Sequence, residues 1–295
     1  MSDHAKGLTL TILGVLILTP DTLLIRLTGL DPWSLLVWRG LFQAIGIFAI
    51  LLAVYRARTW EICRSIGLSG LLAGAIFALS SLGFLISLAH TSVANTLVIV
   101  ATAPLFAAIF SFLLMGERIA LRTLFAIIAT LAGVIIMSSS SWERGSIIGD
   151  LAALVTAMTL GLKFTIFRRR KETNMVPSLA ASGVMMTFIG LLVAPSAFNS
   201  APEGIALYAL IAMGLLVVPI ASALITLSPR YISAPEVSLI FLLETALGPL
   251  WVWLVLSEQP PERTMIGGAI ILSALLTHSC FTFRAQRRKV AGLTA

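Results

Sequence analysis

Long apolar runs, each ended by a short polar or charged segment, recur along the whole 295-residue chain. A helix rises ~1.5 Å per residue, so ~20 apolar residues cross the ~30 Å hydrocarbon core of a bilayer. The runs are continuous, unlike the alternating segments of a membrane β-barrel. The pattern predicts an all-α polytopic membrane protein with ten transmembrane helices, at about residues 7–26, 34–54, 66–87, 93–114, 120–138, 147–167, 176–196, 204–226, 236–256 and 264–283.

The composition supports this class. The chain is 58% hydrophobic and 11% charged, with a mean hydropathy of +1.02, whereas soluble domains are about a quarter charged. Disorder requires low hydrophobicity, and the two cysteines, Cys63 and Cys280, are too few for a disulfide scaffold and are interpreted as free thiols. Because the predicted loops are short, any functional surface is expected inside the membrane.

The basic residues predict the orientation of the chain, since cytoplasmic loops collect Lys and Arg. With the N-terminus inside, 15 of the 20 basic residues fall on the inner side and Lys163 lies within a span; the outer side holds only Arg26, Arg39, Arg144 and Arg263. We therefore expect both termini to be cytoplasmic.

The first apolar run resembles a signal peptide but ends in Thr19-Pro20-Asp21, without a small-x-small cleavage site. We expect it to be retained as the first helix. The chain is thus predicted to be a multi-pass protein of the cell inner (plasma) membrane.

The second half of the sequence repeats the first. The segment from Ser92-Val93-Ala94-Asn95 to Met115-Gly116-Glu117-Arg118 matches, at an offset of 141, the segment from Ser233-Ala234-Pro235-Glu236 to Leu256-Ser257-Glu258-Gln259. The boundaries predicted are residues 1–141 and 142–295, the latter with a basic tail. Each repeat holds five helices, so the second enters the membrane from the opposite side. Such inverted repeats place a substrate site near the bilayer midplane; chance similarity between apolar segments is the alternative.

Several short motifs resemble the drug/metabolite transporter superfamily, and more closely its ten-helix branch with two EamA-type domains. They are Pro32-Trp33-Ser34-Leu35-Leu36-Val37-Trp38-Arg39, Ala103-Pro104-Leu105-Phe106, Met115-Gly116-Glu117 and Gly149-Asp150. The sequence departs from the family at Glu244-Thr245, where Glu-Pro is usual, so the carboxylate is kept and a proline kink is expected to be lost. The resemblance implies export of amino acids and other small metabolites. Within the superfamily, the sequence is similar to aromatic amino-acid exporters.

Four titratable side chains fall inside predicted spans, where a charge at the bilayer centre costs ~2.5–3.5 kcal/mol on insertion scales. Asp21 follows Pro20 in the outer half of the first span, and Lys163 takes nearly the equivalent place in the sixth, in the inner half. Glu244 lies ~13 Å from the inner surface, close to the midplane, at ~1.5 Å per residue. His278 lies in the last third of the tenth span.

Depth decides which of these groups can meet. Lys163 and Glu244 differ by ~5 Å in depth, and Asp21 and Lys163 by ~10–15 Å, at ~1.5 Å per residue. We predict that Lys163 receives a substrate carboxylate while Glu244 faces an ammonium group or a coupling proton. Two alternatives stay open: a purely structural ion pair between the two side chains, or a Lys163 ammonium that snorkels to the inner interface.

The remaining charged groups are weaker candidates. Asp21 either serves an outer vestibule or pairs with backbone groups freed beside Pro20. Arg39 lies one or two turns inside the second span, where it either anchors at the outer interface or acts in a gate. His278 is interpreted as a core or interface histidine rather than a proton relay.

Neutral side chains form a second set of candidates. Polar groups near the midplane either line a cavity or hydrogen-bond neighbouring helices; they are Gln43, Ser80, Ser81, Asn95 and Thr102. Aromatic groups either stack on a substrate or pack within the bundle and the interfacial belt; they are Trp38, Phe77, Phe84, Trp251 and Trp253.

The sequence has no Walker A loop, no H-E-x-x-H pair, no Cys/His cluster with metal-ligand spacing and no G-x-S-x-G elbow. We therefore expect neither an enzyme nor a protein with a cofactor or metal. The function predicted is export of a small metabolite, most simply an amino acid, by alternating access, with protons as a further partner and no nucleic acid. The alternatives are an exporter of organic cations, drugs or nucleotide-linked metabolites, and a non-transporting scaffold or membrane enzyme.

Overall fold

The computed structural model describes residues 3–116, 147–198 and 202–257, together with isolated helical residues at 128–129, 132, 262, 265–266, 269–270, 273–274 and 277. In this part of the chain all regular structure is helical, which confirms the all-α prediction. Seven helical segments are long and apolar enough to cross a membrane: Asp3–Thr28, Pro32–Ser65, Gly67–His90, Val93–Met115, Ile147–Arg169, Gly204–Arg230 and Ala234–Leu256. Pro177–Val193 is a shorter apolar helix.

Eight of the ten predicted spans coincide with these segments. The spans at 120–138 and 264–283, with His278, lie outside the continuously described residues. In chain order the helices are α1 (Asp3–Leu18), α2 (Asp21–Thr28), α3 (Pro32–Tyr55), α4 (Thr59–Ser65), α5 (Gly67–His90), α6 (Val93–Val100), α7 (Ala103–Met115), α8 (Ile147–Arg169), α9 (Pro177–Val193), α10 (Gly204–Ile211), α11 (Val218–Leu227), α12 (Ala234–Ile240) and α13 (Leu242–Leu256). A π-helical segment, Ala212–Val217, joins α10 to α11.

Local chemistry explains where the helices begin. Asp31 caps α3, because its Oδ1 accepts hydrogen bonds from the backbone N–H groups of Trp33 and Ser34, and Pro32 occupies the first helical position. Partial burial raises the pKa of Asp31, but these hydrogen bonds outweigh it and leave the pKa below its ordinary value. Ser92 caps α6 in the same way, accepting from the backbone N–H of Asn95.

Three spans are broken near their middle. The first breaks between α1 and α2 at Thr19-Pro20, where proline offers no N–H and the Thr19 hydroxyl donates to the Leu16 carbonyl. The fourth breaks between α6 and α7, just before Pro104.

The last described span also breaks, at Phe241 between α12 and α13, although the sequence has no proline there. The expected loss of this kink is therefore wrong. The Thr245 hydroxyl donates to the carbonyl of Leu97 at 3.3 Å, so a side-chain hydrogen bond fastens α13 to α6 at the position where the family places proline.

The helices pack in a pattern that is symmetric between the two halves. The most extensive pairs are α3 with α9, α5 with α8, and α5 with α9, followed by α1 with α11. In addition, α3 packs on α11, α8 packs on α6 and α7, and α2 and α1 pack on α13 and α12. The repeat relates α1–α2 to α8, α3 to α9, α5 to α10–α11, and α6–α7 to α12–α13. Replacing each of these elements by its counterpart gives the same set of packed pairs. Each half therefore packs largely against the other half.

Glycines allow the closest of these crossings. A Cβ atom on Gly40 in α3 would lie 2.6 Å from the carbonyl oxygen of Gly183 in α9, and one on Gly183 would lie 2.6 Å from the carbonyl oxygen of Gly40. The two backbones therefore touch directly at this point, as in small-residue helix interfaces of membranes. Gly74 of α5 similarly faces the carbonyl of Ser178 in α9.

The outer surface of the bundle is apolar and its interior carries polar groups. Large apolar side chains such as Leu68, Phe188 and Tyr208 are exposed, whereas Asp21, Gln43 and many hydroxyls are buried. Exposed apolar surface on this scale is typical of a lipid-facing protein.

We predict that Gly40→Ala or Gly183→Ala lowers the thermal stability of the purified protein. The added methyl group meets a backbone carbonyl that cannot rotate away, and overpacking of this kind costs about 1–3 kcal/mol. The measurement is the melting temperature in detergent. Ala49→Val is the control, since Ala49 is exposed on the same helix; an equal loss of stability in all three variants would contradict a specific crossing.

Candidate functional site

A cavity of about 80 Å³ lies between the two halves of the bundle. The described residues that line the cavity come from both halves, and four of them carry charge: Asp21, Arg39, Lys163 and Glu244. These four are 2%, 6%, 4% and 7% exposed, respectively. The cavity therefore collects all three deep charges predicted in the described spans, together with Arg39.

Asp21 and Arg39 form an ion pair, with Arg39 Nη2 donating to Asp21 Oδ2 at 2.7 Å. The pair joins α2 to α3 within the first half. Arg39 is buried, so the expectation that it anchors at the outer interface is wrong. The reason is that only three residues, 29–31, separate α2 from α3, so Asp21 and Arg39 lie in consecutive helices and the long arginine side chain reaches the carboxylate.

Lys163 lies on α8 in the second repeat, whereas Asp21 lies in the first. Its ammonium group is 3.9 Å from the ring centroid of Phe77 and 4.8 Å from that of Phe164. A desolvated cation held over aromatic faces gains ~2 kcal/mol or more. The aromatic rings therefore hold the ammonium inside the cavity, and the snorkelling alternative does not apply.

Glu244 lies in the first turn of α13 and faces the same cavity. Asp21, Arg39 and Lys163 all interact electrostatically with its carboxylate. Among the described residues no ion pair within 4.0 Å and no hydrogen bond joins Glu244 to any of them. The structural ion pair between Lys163 and Glu244 is therefore absent from this conformation, and the space between the two side chains is open.

The helix breaks explain how two carboxylates lie so deep. Asp21 is the first residue of α2, and Glu244 lies in the first turn of α13. The unpaired N–H groups at a helix N-terminus carry partial positive charge and stabilise a nearby anion by ~0.3–1 kcal/mol. Each break thus creates a helix start inside the membrane and places a carboxylate beside it.

Four of the ten neutral candidates line the cavity, namely Phe77, Ser80, Ser81 and Phe84. All lie on one face of α5 at helical spacing. Ser80 also packs against α8, where the Thr156 hydroxyl donates to the Ser80 carbonyl at 3.3 Å.

The other six neutral candidates do not line the cavity. The Gln43 amide donates to the Leu179 carbonyl and to Ser182 Oγ, which fastens α3 to α9. Asn95 hydrogen-bonds Asp150 and so fastens α6 to α8. Thr102 is buried at the α6–α7 break.

Trp38 donates from Nε1 to the Ala197 carbonyl and packs edge-on against Phe198. Trp251 and Trp253 are 42% and 48% exposed on α13, and Trp251 donates from Nε1 to Thr19 Oγ1 at 3.2 Å. Trp38 and Trp251 therefore fasten neighbouring segments of the chain, and Trp253 lies at the surface of the bundle.

The structure adds lining residues that the sequence analysis did not single out: the polar Thr156, Ser222 and Thr226, and the aromatic Phe241. Two spacing signals point to the first three. Thr156 lies seven residues before Lys163, two turns away on the same face of α8, and Ser222 and Thr226 are four residues apart on α11. Phe241 carries no such signal, because its position depends on the helix break.

Comparisons with known proteins agree with this architecture. No curated protein matches the sequence. Twenty-six chains of solved structures match. One crystal structure among them has a TM-score of 0.68 and 18% sequence identity, and the match covers 94% of this chain and 98% of the other. At this identity the likeness shows the fold alone.

A sequence model of the EamA-like transporter family matches residues 5–139 and again residues 147–279. The two matches span most of the chain and place it in the drug/metabolite transporter superfamily. Proteins of this family are membrane transporters of small molecules rather than enzymes. With its apolar spans, its two repeats and a buried polar cavity between its halves, this multi-pass membrane protein belongs to the EamA-like transporter family.

Proposed function

We propose that this transporter exports a small zwitterion, most simply an amino acid, across the inner membrane by alternating access. The observation that carries the proposal is the inventory of charges in the cavity. Asp21 and Arg39 neutralise each other, whereas Lys163 and Glu244 face the open space without an ion-pair partner among the described residues. One cation and one anion are thus left for a ligand.

A zwitterion complements these two groups. A substrate carboxylate on Lys163 and a substrate ammonium on Glu244 would replace the hydration that both groups lose on burial, which otherwise costs several kcal/mol per ion. A cation alone leaves Lys163 unmatched, and a polyanion finds only one unpaired cation among the described lining residues.

The apolar part of the lining fits the side chain of such a substrate. Phe77, Phe84 and Phe241 share the cavity with Leu97 and Val100. Aromatic faces favour aromatic partners by ~0.5–1.5 kcal/mol beyond area burial. Aromatic amino acids are therefore the first substrates to test.

The packing of the bundle supports alternating access. The cavity lies between two halves related by repeat, and each half packs mainly on the other. Rocking of such halves about a central site is the general mechanism of transporters with internal repeats. The Gly40–Gly183 crossing supplies a close backbone contact about which α3 and α9 can rock.

The direct test is flux of labelled amino acids, aromatic ones first, in liposomes that contain the purified protein, with and without a pH gradient. Protein-dependent flux of a zwitterion is expected. Absence of flux for every amino acid tested would remove the proposed substrate class and leave the family assignment in place.

We predict that Glu244→Gln abolishes the pH dependence of transport. Glu244 is the titratable carboxylate that has no ion-pair partner among the described lining residues, so it is the group able to exchange a proton with the cavity. Initial rates are measured from about pH 5.5 to 8.5. Glu203→Gln is the control, because Glu203 is exposed at the start of α10. An unchanged pH profile in Glu244→Gln would show that coupling does not use this residue.

We predict that Lys163→Met weakens transport of amino acids about tenfold or more while leaving the corresponding amino-acid amides little affected. A charged hydrogen bond contributes ~1.5–3 kcal/mol, and the amide lacks the carboxylate that would receive it. The measurement is KM for each matched pair. Lys171→Met, at an exposed position beyond α8, is the control. Equal loss for acid and amide would exclude carboxylate binding by Lys163.

A further inference from the structure

A second cavity, of about 230 Å³, lies beyond the central one and is walled by α2, α3 and α5. Leu35, Leu85 and Leu88 line it and are 3%, 2% and 2% exposed, so it penetrates the interior of the bundle and is not a groove on the lipid-facing surface. Gly29 and Ala89 also line it and are exposed at the ends of α2 and α5. The second cavity therefore extends to one end of the bundle.

The two cavities follow each other along the same three helices. For four lining residues of the central cavity, the residue four positions away on the same helix lines the second cavity. The pairs are Asp21 with Ile25 in α2, Arg39 with Leu35 in α3, and Ser81 with Leu85 and Phe84 with Leu88 in α5. Side chains four residues apart lie on one face of a helix, ~6 Å apart along its axis. The second cavity thus continues the central one, a helical turn nearer to the end of the bundle.

The Asp21–Arg39 ion pair lies at the boundary between the two cavities. Both side chains line the central cavity, on the turn next to Ile25 and Leu35 of the second one. One hydrogen bond of 2.7 Å joins α2 to α3 at this point. Asp21 Oδ1 and Arg39 Nε and Nη1 are buried without a hydrogen-bond partner among the described residues. The pair therefore lacks the second, parallel bond that makes a bidentate arginine–carboxylate contact strong.

We propose that the Asp21–Arg39 pair is a gate in the transport path, and that the second cavity is the subsite through which the amino acid passes between the central cavity and the end of the bundle. The gate is closed in this conformation, because the pair is formed. The inference rests on the proposed function, since the ligand that passes is the zwitterion proposed above.

A zwitterion is suited to such a gate. When the pair opens, the substrate carboxylate takes the place of Asp21 beside Arg39, and its ammonium group takes the place of Arg39 beside Asp21. Both buried charges then keep a partner. A cation or an anion alone would leave one of them uncompensated, which is costly inside a protein. Beyond the gate, Ile25, Leu85 and Leu88 offer apolar walls to the side chain of the substrate.

The wall of the second cavity is held separately from the gate. Arg26, the charged residue among its described lining residues, donates from Nη2 to the carbonyl of Thr91 at 3.3 Å. This bond fastens α2 to the residue that follows α5. The Asp21–Arg39 contact can therefore open while the cavity beside it is kept.

The first experiment measures access to the central cavity with a thiol reagent and needs no amino acid. Cys63 and Cys280 are replaced by serine, and either Ser81→Cys or Ala89→Cys is introduced, so that a single thiol lies in the central or in the second cavity. A membrane-impermeant methanethiosulfonate with an ammonium group is added to intact cells or to inside-out vesicles, whichever lets it react with Ala89→Cys. Absence of this reaction in both preparations would show that the second cavity does not reach the aqueous phase and would overturn the proposal.

Each labelling rate is measured with and without Asp21→Asn/Arg39→Gln. This double change removes both charges together, so no buried ion is left unpaired, and Ala89→Cys reports whether the second cavity is intact. We expect the labelling rate of Ser81→Cys to rise about tenfold or more, as for a barrier lowered by ~1.4 kcal/mol, and that of Ala89→Cys to stay unchanged. An equal rate for Ser81→Cys in both backgrounds, or an equal rise for both cysteines, would overturn the gate.

The second experiment tests the path itself. Ala89→Cys in the cysteine-free background is modified with a bulky maleimide before reconstitution, and efflux of a labelled amino acid from liposomes is compared with that of the unmodified protein. We expect most of the efflux to be lost, because the added group fills the second cavity. Ala57→Cys, exposed at the opposite end of α3, should keep its efflux when modified. Unchanged efflux after complete modification of Ala89→Cys would remove the second cavity from the path and leave the proposed function in place.

The charge of the gate is tested by the maximal rate of transport rather than by KM. Lys163→Met acts on binding in the central cavity and changes KM, whereas Asp21→Asn/Arg39→Gln acts on passage. We expect the double change to bring the maximal rates for an amino acid and for its amide closer together. A ratio of these two rates that stays at the wild-type value would exclude a gate selective for zwitterions.

Discussion

The compensation of charge in a medium without water is the constraint on which this structure depends. Four buried charges, two of each sign, face one cavity. An isolated ion in hydrocarbon is too costly to keep. Three arrangements compensate these four charges: Asp21 and Arg39 are paired, Lys163 lies over two aromatic rings, and Glu244 lies in the first turn of a helix. Only the last two arrangements leave the charged atoms available to a ligand.

The broken spans serve the same constraint. A continuous helix satisfies all of its backbone groups internally and offers no electrostatic contact to a buried anion. The breaks at Thr19-Pro20 and at Phe241 begin new half-helices at the depth of Asp21 and Glu244. Side-chain hydroxyls also donate to backbone carbonyls here: Thr19 donates to Leu16, and Thr245 donates to Leu97, whose carbonyl accepts the N–H of Ala101 as well. Backbone and side-chain charges are thus arranged together.

The near-symmetric packing explains why the cavity has chemically different walls. Asp21 and Lys163 take nearly equivalent places in the two repeats, yet they carry opposite charges. The fold supplies two similar positions facing one space, and the sequence has given each a different role. One carboxylate is occupied by Arg39 within its own half, while the lysine has no carboxylate within 4.0 Å among the described residues.

Much of this was determined by the sequence alone. Uninterrupted apolar runs can only be helices that cross a membrane, and the internal offset of 141 residues identifies the repeat. Deep charges such as Glu244 and Lys163 stand out because they are so costly there. The energetic cost of burying a polar group does not reveal which way its side chain points around the helix axis. The sequence therefore could not distinguish a polar group that faces the cavity from one that fastens two helices. Ser80 and Gln43 look alike in sequence, and only the position of neighbouring helices separates them.

Tertiary structure decided the partners. Arg39 lies close to a span end in sequence, which suggests an interfacial anchor, but the turn between α2 and α3 places it against Asp21. The helix likewise breaks at Phe241 without a proline, and the Thr245 hydroxyl that follows the break is bonded to α6. Burial and helical periodicity are local properties, which a single sequence carries. Which two side chains meet depends on the orientation of whole helices, and that orientation is set by the sum of many weak packing contacts, such as the Gly40–Gly183 crossing.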